Sequence, residues 1–299
     1  MQNDQAAPLI KGPPLSCDCH LHVFGDPVTY PYSPDKRNVP PALPLADYMA
    51  GYNDFAQRCG IERMVFTQPS TYGRDNTSLL DAIQLCGGNA RGIVDIDEHA
   101  PDAELARLNS AGVVGIRFNL GPPNRPREAG LMEKHLARLQ RLDARLQRLD
   151  ARCAEIGWQL DILSPSWLIV DMLDVYRKFK SNFTLAHFGM FLARDGAQQP
   201  GLLKIVDFLR NGPGRCYMKL TAPYRMATEP TYADSTVIAQ ALIAAAPDRI
   251  IWGSDYPYLS NAHRVNSIDL FNLVAQWMPD AATRQKVLVD NPARLFGFN

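Results

Sequence analysis

The strongest constraint on this 299-residue chain is an alternation that runs through it eight times. Short runs rich in Val, Ile, Leu and Phe lie at 16–23, 62–67, 90–96, 112–118, 157–163, 183–187, 215–220 and 249–253. Each is followed by a loop and a stretch of helical periodicity, at 44–59, 75–87, 101–111, 127–156, 166–180, 200–211, 231–246 and 266–278. Strands joined through helices run parallel, because the crossover returns the chain to its starting edge. Eight such units in about 250 residues fit a closed (β/α)8 TIM barrel better than an open doubly wound sheet. An open sheet also calls for a glycine-rich phosphate turn after its first strand, whereas here the strand runs into His20-Leu21-His22-Val23-Phe24-Gly25. Local punctuation agrees with the alternation: Gly60 stands where a helix should stop, Asp75 can cap the next one, and Pro101 suits a first helical turn.

Residues 1–14 are polar and contain prolines, which reads as a loose tail before a single barrel domain over 15–299. Lys plus Arg and Asp plus Glu both number 31, so there is no basic excess of the kind a nucleic-acid partner needs. No apolar run reaches the ~18 residues of a membrane span, and the N-terminal segment has no apolar core of a secretory signal. The six cysteines are scattered without Cys-x-x-Cys pairs, so the expectation is a cytoplasmic protein with reduced thiols, Cys17 and Cys19 serving as packing. Residues 138–151 read Arg-Leu-Gln-Arg-Leu-Asp-Ala twice in tandem. Seven residues are close to two helical turns, so Leu139, Leu142, Leu146 and Leu149 share one stripe, which either lies on the barrel or meets another subunit in a homo-oligomer. The loop 24–43 is long enough to act as a lid.

Polar residues gather at the predicted strand ends. His20 and His22 are two apart, so on a strand they point the same way and can hold a metal or polarise a carbonyl. Asp255 follows the eighth strand, beside the first in a closed barrel, and His187 ends the sixth. Each alone could be an ordinary buried histidine or a turn-capping aspartate; together at one barrel mouth they point to a site. Gln68 and Ser70 follow strand two; Asp95, Asp97 and His99 follow strand three; Arg117 and Asn119 end strand four, with Arg125 in the next loop. Asp161 lies in strand five, Lys219 and Arg225 surround the end of strand seven, and Asn261 and His263 come after strand eight. Arginines so placed suit the carboxylates of a small anionic substrate.

The segments DCHLHVFG (18–25), QPSTYGRDN (68–76), GIRFN (115–119), AHFG (186–189), KLTAPYR (219–225), WGSDYP (252–257) and NPARLFGF (291–298) span nearly the whole chain. In this order they resemble the amidohydrolase superfamily, and within it the branch that contains 2-pyrone-4,6-dicarboxylate lactonase. The resemblance implies a carboxylic ester hydrolase that opens a carboxylated lactone in aromatic-compound catabolism. It implies carbonyl or metal contacts for His20, His22 and His187, and a water-activating base in Asp255. It assigns substrate contacts to Ser70, Arg117, Arg125, Arg225 and Asn261. It implies either no cofactor or one divalent ion, zinc or manganese, held by His20, His22, His187 and Asp255. Strand four ends in Arg117-Phe118-Asn119 and strand five in Leu160-Asp161-Ile162-Leu163, so the lysine or histidine of two-metal relatives is missing. No histidine lies between His187 and Asp255, which counts against a decarboxylase. Leu163 and Asn38 stand where branch members place aromatic substrate contacts. A sugar-acid lactone isomerase stays as the alternative, although relatives of that type can lose the histidine pair and final aspartate that this chain keeps.

Overall fold

The computed structural model describes residues 7–36, 39–120 and 132–299, so Arg125, Asn38 and the predicted helix start at 127 lie outside the described residues. All eight predicted strands form, as β1 (Ser16–Leu21), β2 (Ile61–Thr67), β3 (Ala90–Val94), β4 (Val113–Asn119), β5 (Gln159–Leu163), β6 (Phe183–Leu185), β7 (Cys216–Leu220) and β8 (Ile250–Trp252). They pair in sequence order, every ladder parallel, with their residues almost continuously buried because helices cover the outer face. The result is a distorted (β/α)8 barrel.

The helices are α1 (Leu45–Cys59), α2 (Thr77–Leu85), α3 (Asp102–Ser110), α4 (Met132–Ile156), α5 (Ser166–Asp171), α6 (Leu173–Tyr176), α7 (Pro200–Asn211), α8 (Thr236–Ala245), α9 (Ser267–Trp277), α10 (Ala281–Gln285) and α11 (Asn291–Phe296). Gly60 does stop α1, in the left-handed region at φ 75° that lacks a Cβ penalty. Two boundaries differ from expectation. Asp75 sits one residue before the N-cap Asn76 and accepts hydrogen bonds from the amide and hydroxyl of Thr77, and Pro101 is itself the residue preceding α3. The segment predicted as one helix over 166–180 breaks at Met172 into α5 and α6. In the duplicated segment of α4 the second copy packs its apolar stripe, Leu146 and Leu149 being buried while Leu142 is half-buried.

The core divides in two. One layer lies between sheet and helices. The other fills the barrel interior with Cys17, Cys19, Val65, Ile93, Tyr217 and Ile251, closed from below by Leu295, Phe296 and Phe298 of the C-terminal segment. The helices α10 and α11 were not expected from hydrophobic periodicity. Their signals were caps: Asp280 accepts from the Thr283 amide, and Gly297 ends α11 at φ 64°.

Two irregularities position the mouth. The register of β1 shifts between Asp18 and Leu21. Cys17 and Cys19 therefore face the barrel interior, yet Leu21 faces the helices and the interior polar positions pass to His20 and His22. The second irregularity is the join. Among the described residues, neighbouring strands from β1 to β8 carry ladders but β8 and β1 do not. They are linked instead by Asp255 N donating to His20 O (2.8 Å), His22 N to Tyr256 O (2.8 Å) and Ser254 N to the Asp18 carboxylate (2.9 Å). The buried Asp18 also accepts from His20 N and the Tyr52 hydroxyl of α1. Gly253 makes the approach fit: a Cβ there would lie 2.7 Å from His20 N and 2.8 Å from His20 Cβ.

Candidate active site at the barrel mouth

Three imidazoles converge on one carboxylate oxygen. Asp255 Oδ1 lies 3.4 Å from His20 Nε2, 3.4 Å from His22 Nε2 and 4.0 Å from His187 Nε2. His20, His187 and Asp255 are buried, and His22 is 12% exposed, on the open side. His187 and Asp255 follow their strands at φ 53° and 63°. Non-glycine residues rarely occupy this left-handed region, and holding two of them there turns both side chains inward.

The outer atoms of each group are tied. His22 Nδ1 donates to the carbonyl of Thr67 at 2.7 Å. His187 Nδ1 meets the Thr221 hydroxyl at 2.5 Å, and the same hydroxyl accepts from His187 N. His20 Nδ1 lies 3.3 Å from Lys219 Nζ and 3.5 Å from Thr67 Oγ1. Asp255 Oδ2 accepts from the Tyr224 hydroxyl and from Arg225, at 3.2 Å from Nη2 and 3.4 Å from Nε. Among the described residues, Asp255 Oδ1 and His20 Nε2 have no hydrogen-bond partner in normal geometry.

Charge states follow. Burial, then the Lys219 ammonium, pushes His20 down to about 3. Burial holds His187 well below the usual imidazole value. Burial alone would lift the Asp255 carboxyl, but Arg225 and then His187 outweigh it and keep it well below the usual carboxylate range. Near neutral pH the site therefore holds an ionised Asp255 carboxylate beside neutral His20 and His187 imidazoles.

The other predicted residues divide. Arg117 is buried, donates to the Gln68 carbonyl and has no carboxylate in ion-pair range among the described residues. Arg225 is one-third exposed and is already engaged with Asp255. Ser70 is exposed in the turn after β2, and Asn261 accepts from Arg264 in the loop after β8. Asp97 pairs with Arg74 at 2.5 Å, away from the cluster, and His99 is exposed beside it. Sequence reasoning missed Thr67, Thr221 and Tyr224. All three sit at or just after strand ends, the positional signal that singled out the histidines, but hydroxyl groups there are too common to stand out.

The spacing also fits one divalent ion. Donors at about 2.0–2.1 Å around a tetrahedral centre lie roughly 3.3–3.4 Å apart, and His20, His22 and Asp255 offer ligand atoms all within 4.8 Å of one another. The bond from His22 Nδ1 to a carbonyl leaves its Nε2 lone pair free, as a ligating histidine requires.

Comparison with known proteins follows the same lines. The chain is 32% identical over 289 residues to 4-sulfomuconolactone hydrolase of Hydrogenophaga intermedia, covering 95% of this chain and 89% of that protein. It is 27% identical over 299 residues to 2-pyrone-4,6-dicarboxylate hydrolase of Comamonas testosteroni, covering 97% and 92%. It is 28% identical over 285 residues to D-galactarolactone isomerase of Agrobacterium fabrum, covering 93% and 88%. A family model described as amidohydrolase matches residues 17–298, from the first strand to the last turn of the C-terminal segment. A match of that extent, on a barrel whose first and eighth strands meet at a histidine–aspartate cluster, makes this chain a member of the amidohydrolase family.

Proposed function

We propose that the chain is a hydrolase that opens a lactone carrying one or more acidic groups. The observation that carries this reading is the division of Asp255: Oδ2 is held by Tyr224 and Arg225, while Oδ1 faces three imidazoles. An ionised carboxylate with one oriented, unengaged oxygen is the equipment of a general base. Imidazoles beside it can donate to the oxygen of a carbonyl under attack.

In this mechanism a lactone enters at the C-terminal mouth. The buried Arg117 guanidinium, with no carboxylate in ion-pair range among the described residues, takes an acidic group of the substrate and fixes the carbonyl. Asp255 Oδ1 removes a proton from water as the water oxygen bonds to the carbonyl carbon. The ring C–O bond then breaks, and Asp255 returns the proton to the leaving oxygen, giving an open-chain acid and a hydroxyl. His20, His22 and Asp255 are the residues that would hold a divalent ion, their donor atoms lying within 4.8 Å of one another. Such an ion supplies Lewis acidity at the carbonyl when bound.

Similar identity to hydrolases and to an isomerase means that overall likeness does not choose between them; the retained His20, His22 and Asp255 favour hydrolysis. The test is a panel of carboxylated and sulfonated lactones turned over in 18O-water. Hydrolysis places one solvent oxygen in a ring-opened acid, whereas an isomeric lactone without solvent oxygen overturns the proposal. Asp255→Asn should lower kcat at least ~10²-fold, and near-normal turnover by it would remove Asp255 as the base.

A further inference from the structure

Arg117 is not the only cation at the mouth without a carboxylate. Arg264, in the loop after β8, is exposed, and its guanidinium grips neutral oxygens. Nε donates to Asn261 Oδ1 at 3.1 Å, and Nη2 donates to the same oxygen at 2.9 Å and to the Tyr224 carbonyl at 3.0 Å. Among the described residues no carboxylate lies in ion-pair range of Arg264. Other arginines around the strand ends differ in this respect: Arg74 pairs with Asp97, Arg145 and Arg148 with Glu98, and Arg225 with Asp255. A guanidinium spent on amide oxygens keeps its charge uncompensated and open to an anion.

The group is also held in place before any ligand arrives. Arg264 N donates to Asn261 O at 3.0 Å, and Arg264 O accepts from the Tyr232 hydroxyl at 3.0 Å, so the loops after β7 and β8 fix backbone and side chain together. A guanidinium has five N–H donors. Three are engaged here among the described residues, which leaves the two on Nη1. Fixing the planar fork in advance reduces the entropy lost when an anion binds. Tyr224 relates this cation to the chemistry. Its hydroxyl donates to Asp255 Oδ2, while the guanidinium carbons of Arg225 and Arg264 lie 5.6 and 6.0 Å from its ring centre. Asp255 neutralises Arg225 and not Arg264, so the two arginines and the carboxylate together keep one positive charge. A single tyrosine spans the gap from Asp255 to Arg264, a distance suited to a lactone ring with an acidic substituent.

We propose, resting on the hydrolytic reading of the site, that Arg264 is a specificity-determining residue that binds a second acidic group of the substrate, Arg117 binding the first. β4 and β8 are four strands apart in a ring of eight, so Arg117 and the loop that carries Arg264 approach the mouth from opposite sides. The ligand class that fits is a ring with two anionic groups on opposite sides and the reacting carbonyl between them, over Asp255. A ring with one acidic group is held at one end and leaves the Arg264 charge unanswered, so the two classes are told apart by this contact. Asn261 acts here as a positioning residue, its Oδ1 taking two prongs of the fork.

The experiment measures binding of stable ring acids, apart from any reaction. Benzoate, benzene-1,3-dicarboxylate and benzene-1,4-dicarboxylate are titrated calorimetrically into the full chain and into its Arg264→Gln and Arg264→Glu variants. A hydrogen bond to a charged group corresponds to about tenfold or more in affinity. The parent should therefore bind the better dicarboxylate at least about tenfold more tightly than benzoate, and Arg264→Gln should lose most of that preference. Arg264→Glu should lower dicarboxylate affinity further, because it sets like charges together, and should change benzoate much less. If Arg264 only straps the two loops, both variants weaken benzoate and dicarboxylates by the same factor. That result overturns the proposal, as does a preference unchanged in Arg264→Gln, or a parent that binds neither dicarboxylate more tightly than benzoate. Because no lactone is present, inactivity on lactones would sink the hydrolytic reading and leave the dicarboxylate preference standing, and the reverse holds as well.

Discussion

At the scale of single residues, Asp255 assigns its two oxygens to different tasks, and Arg225 holds one of them. The guanidinium bonds Oδ2 yet remains one-third exposed at the mouth, so an incoming acidic group can share it. Arg225→Met is expected to raise KM for dicarboxylated lactones more than for neutral ones; steady-state kinetics on matched substrates check this, and equal effects would remove Arg225 from substrate recognition. Tyr224→Phe removes the other donor to Oδ2. A hydrogen bond to a charged group contributes about 1.5–3 kcal/mol, so kcat should fall by about tenfold or more while KM changes little. The buried histidines also set a pH expectation. Burial depresses His20 to about 3 and His187 well below the usual value, so their neutral forms persist as pH falls through the ordinary histidine range. Neither His20 nor His187 should therefore add an acid limb to kcat/KM between roughly pH 8 and about pH 5; a limb in that range that His187→Asn or His20→Asn abolishes would show one of them charged at work instead.

At the scale of elements, Gly253 shows how a strand end is specified by what it must avoid. Gly253→Ala places a methyl group against the His20 backbone and Cβ and 2.9 Å from Thr221 Cγ2. Overpacking of this kind costs about 1–3 kcal/mol, so the melting temperature should drop measurably, and activity should fall as β8 is pushed off β1. Calorimetry and kinetics on one preparation test both parts. The alternation of strands and helices was legible in the sequence because it depends on local periodicity: each of the eight strands forms where its apolar run predicted. The gathering of His20, His22, His187 and Asp255 was legible because histidines are few, six in the chain, and these fall at the ends of predicted strands that a closed barrel brings to one mouth. The shift in β1 was not legible, since Cys19 and His20 are adjacent and strict alternation would send them to opposite faces; only the partner strand reveals that both turn inward. The helices α10 and α11 escaped because one is short and the other begins beyond a π turn, leaving caps rather than periodicity to mark them. The tandem heptads carry a similar lesson. Asp150 is buried and accepts from Lys180 N, Ser181 N and the Ser181 hydroxyl, whereas its counterpart Asp143 in the first copy is half-buried, so identical sequence acquires unlike tasks from tertiary context.

At the scale of the whole molecule, the barrel is a ring of strands with one join of a different kind. Elsewhere backbone ladders set the spacing, but at the join of β8 to β1 the spacing rests on a few loop hydrogen bonds and the carboxylate of Asp18. The histidine pair hangs from one side of that join and Asp255 from the other. Local openings cost least where few bonds must break together, so the join should part at a lower temperature than the ladders do. Catalysis and fold are then separable by heat: activity should fade reversibly in a range where far-ultraviolet circular dichroism is still that of the intact barrel. The amides of Ser254 and Asp255 should exchange with solvent deuterium before those of β4 and β5. Asp18→Asn should widen the gap between the two temperatures, and coincident loss of activity and helicity would refute the idea. A barrel of this design has its thermostat at the place where it works, so that a change at a residue which never meets substrate can reset the temperature at which the enzyme switches off.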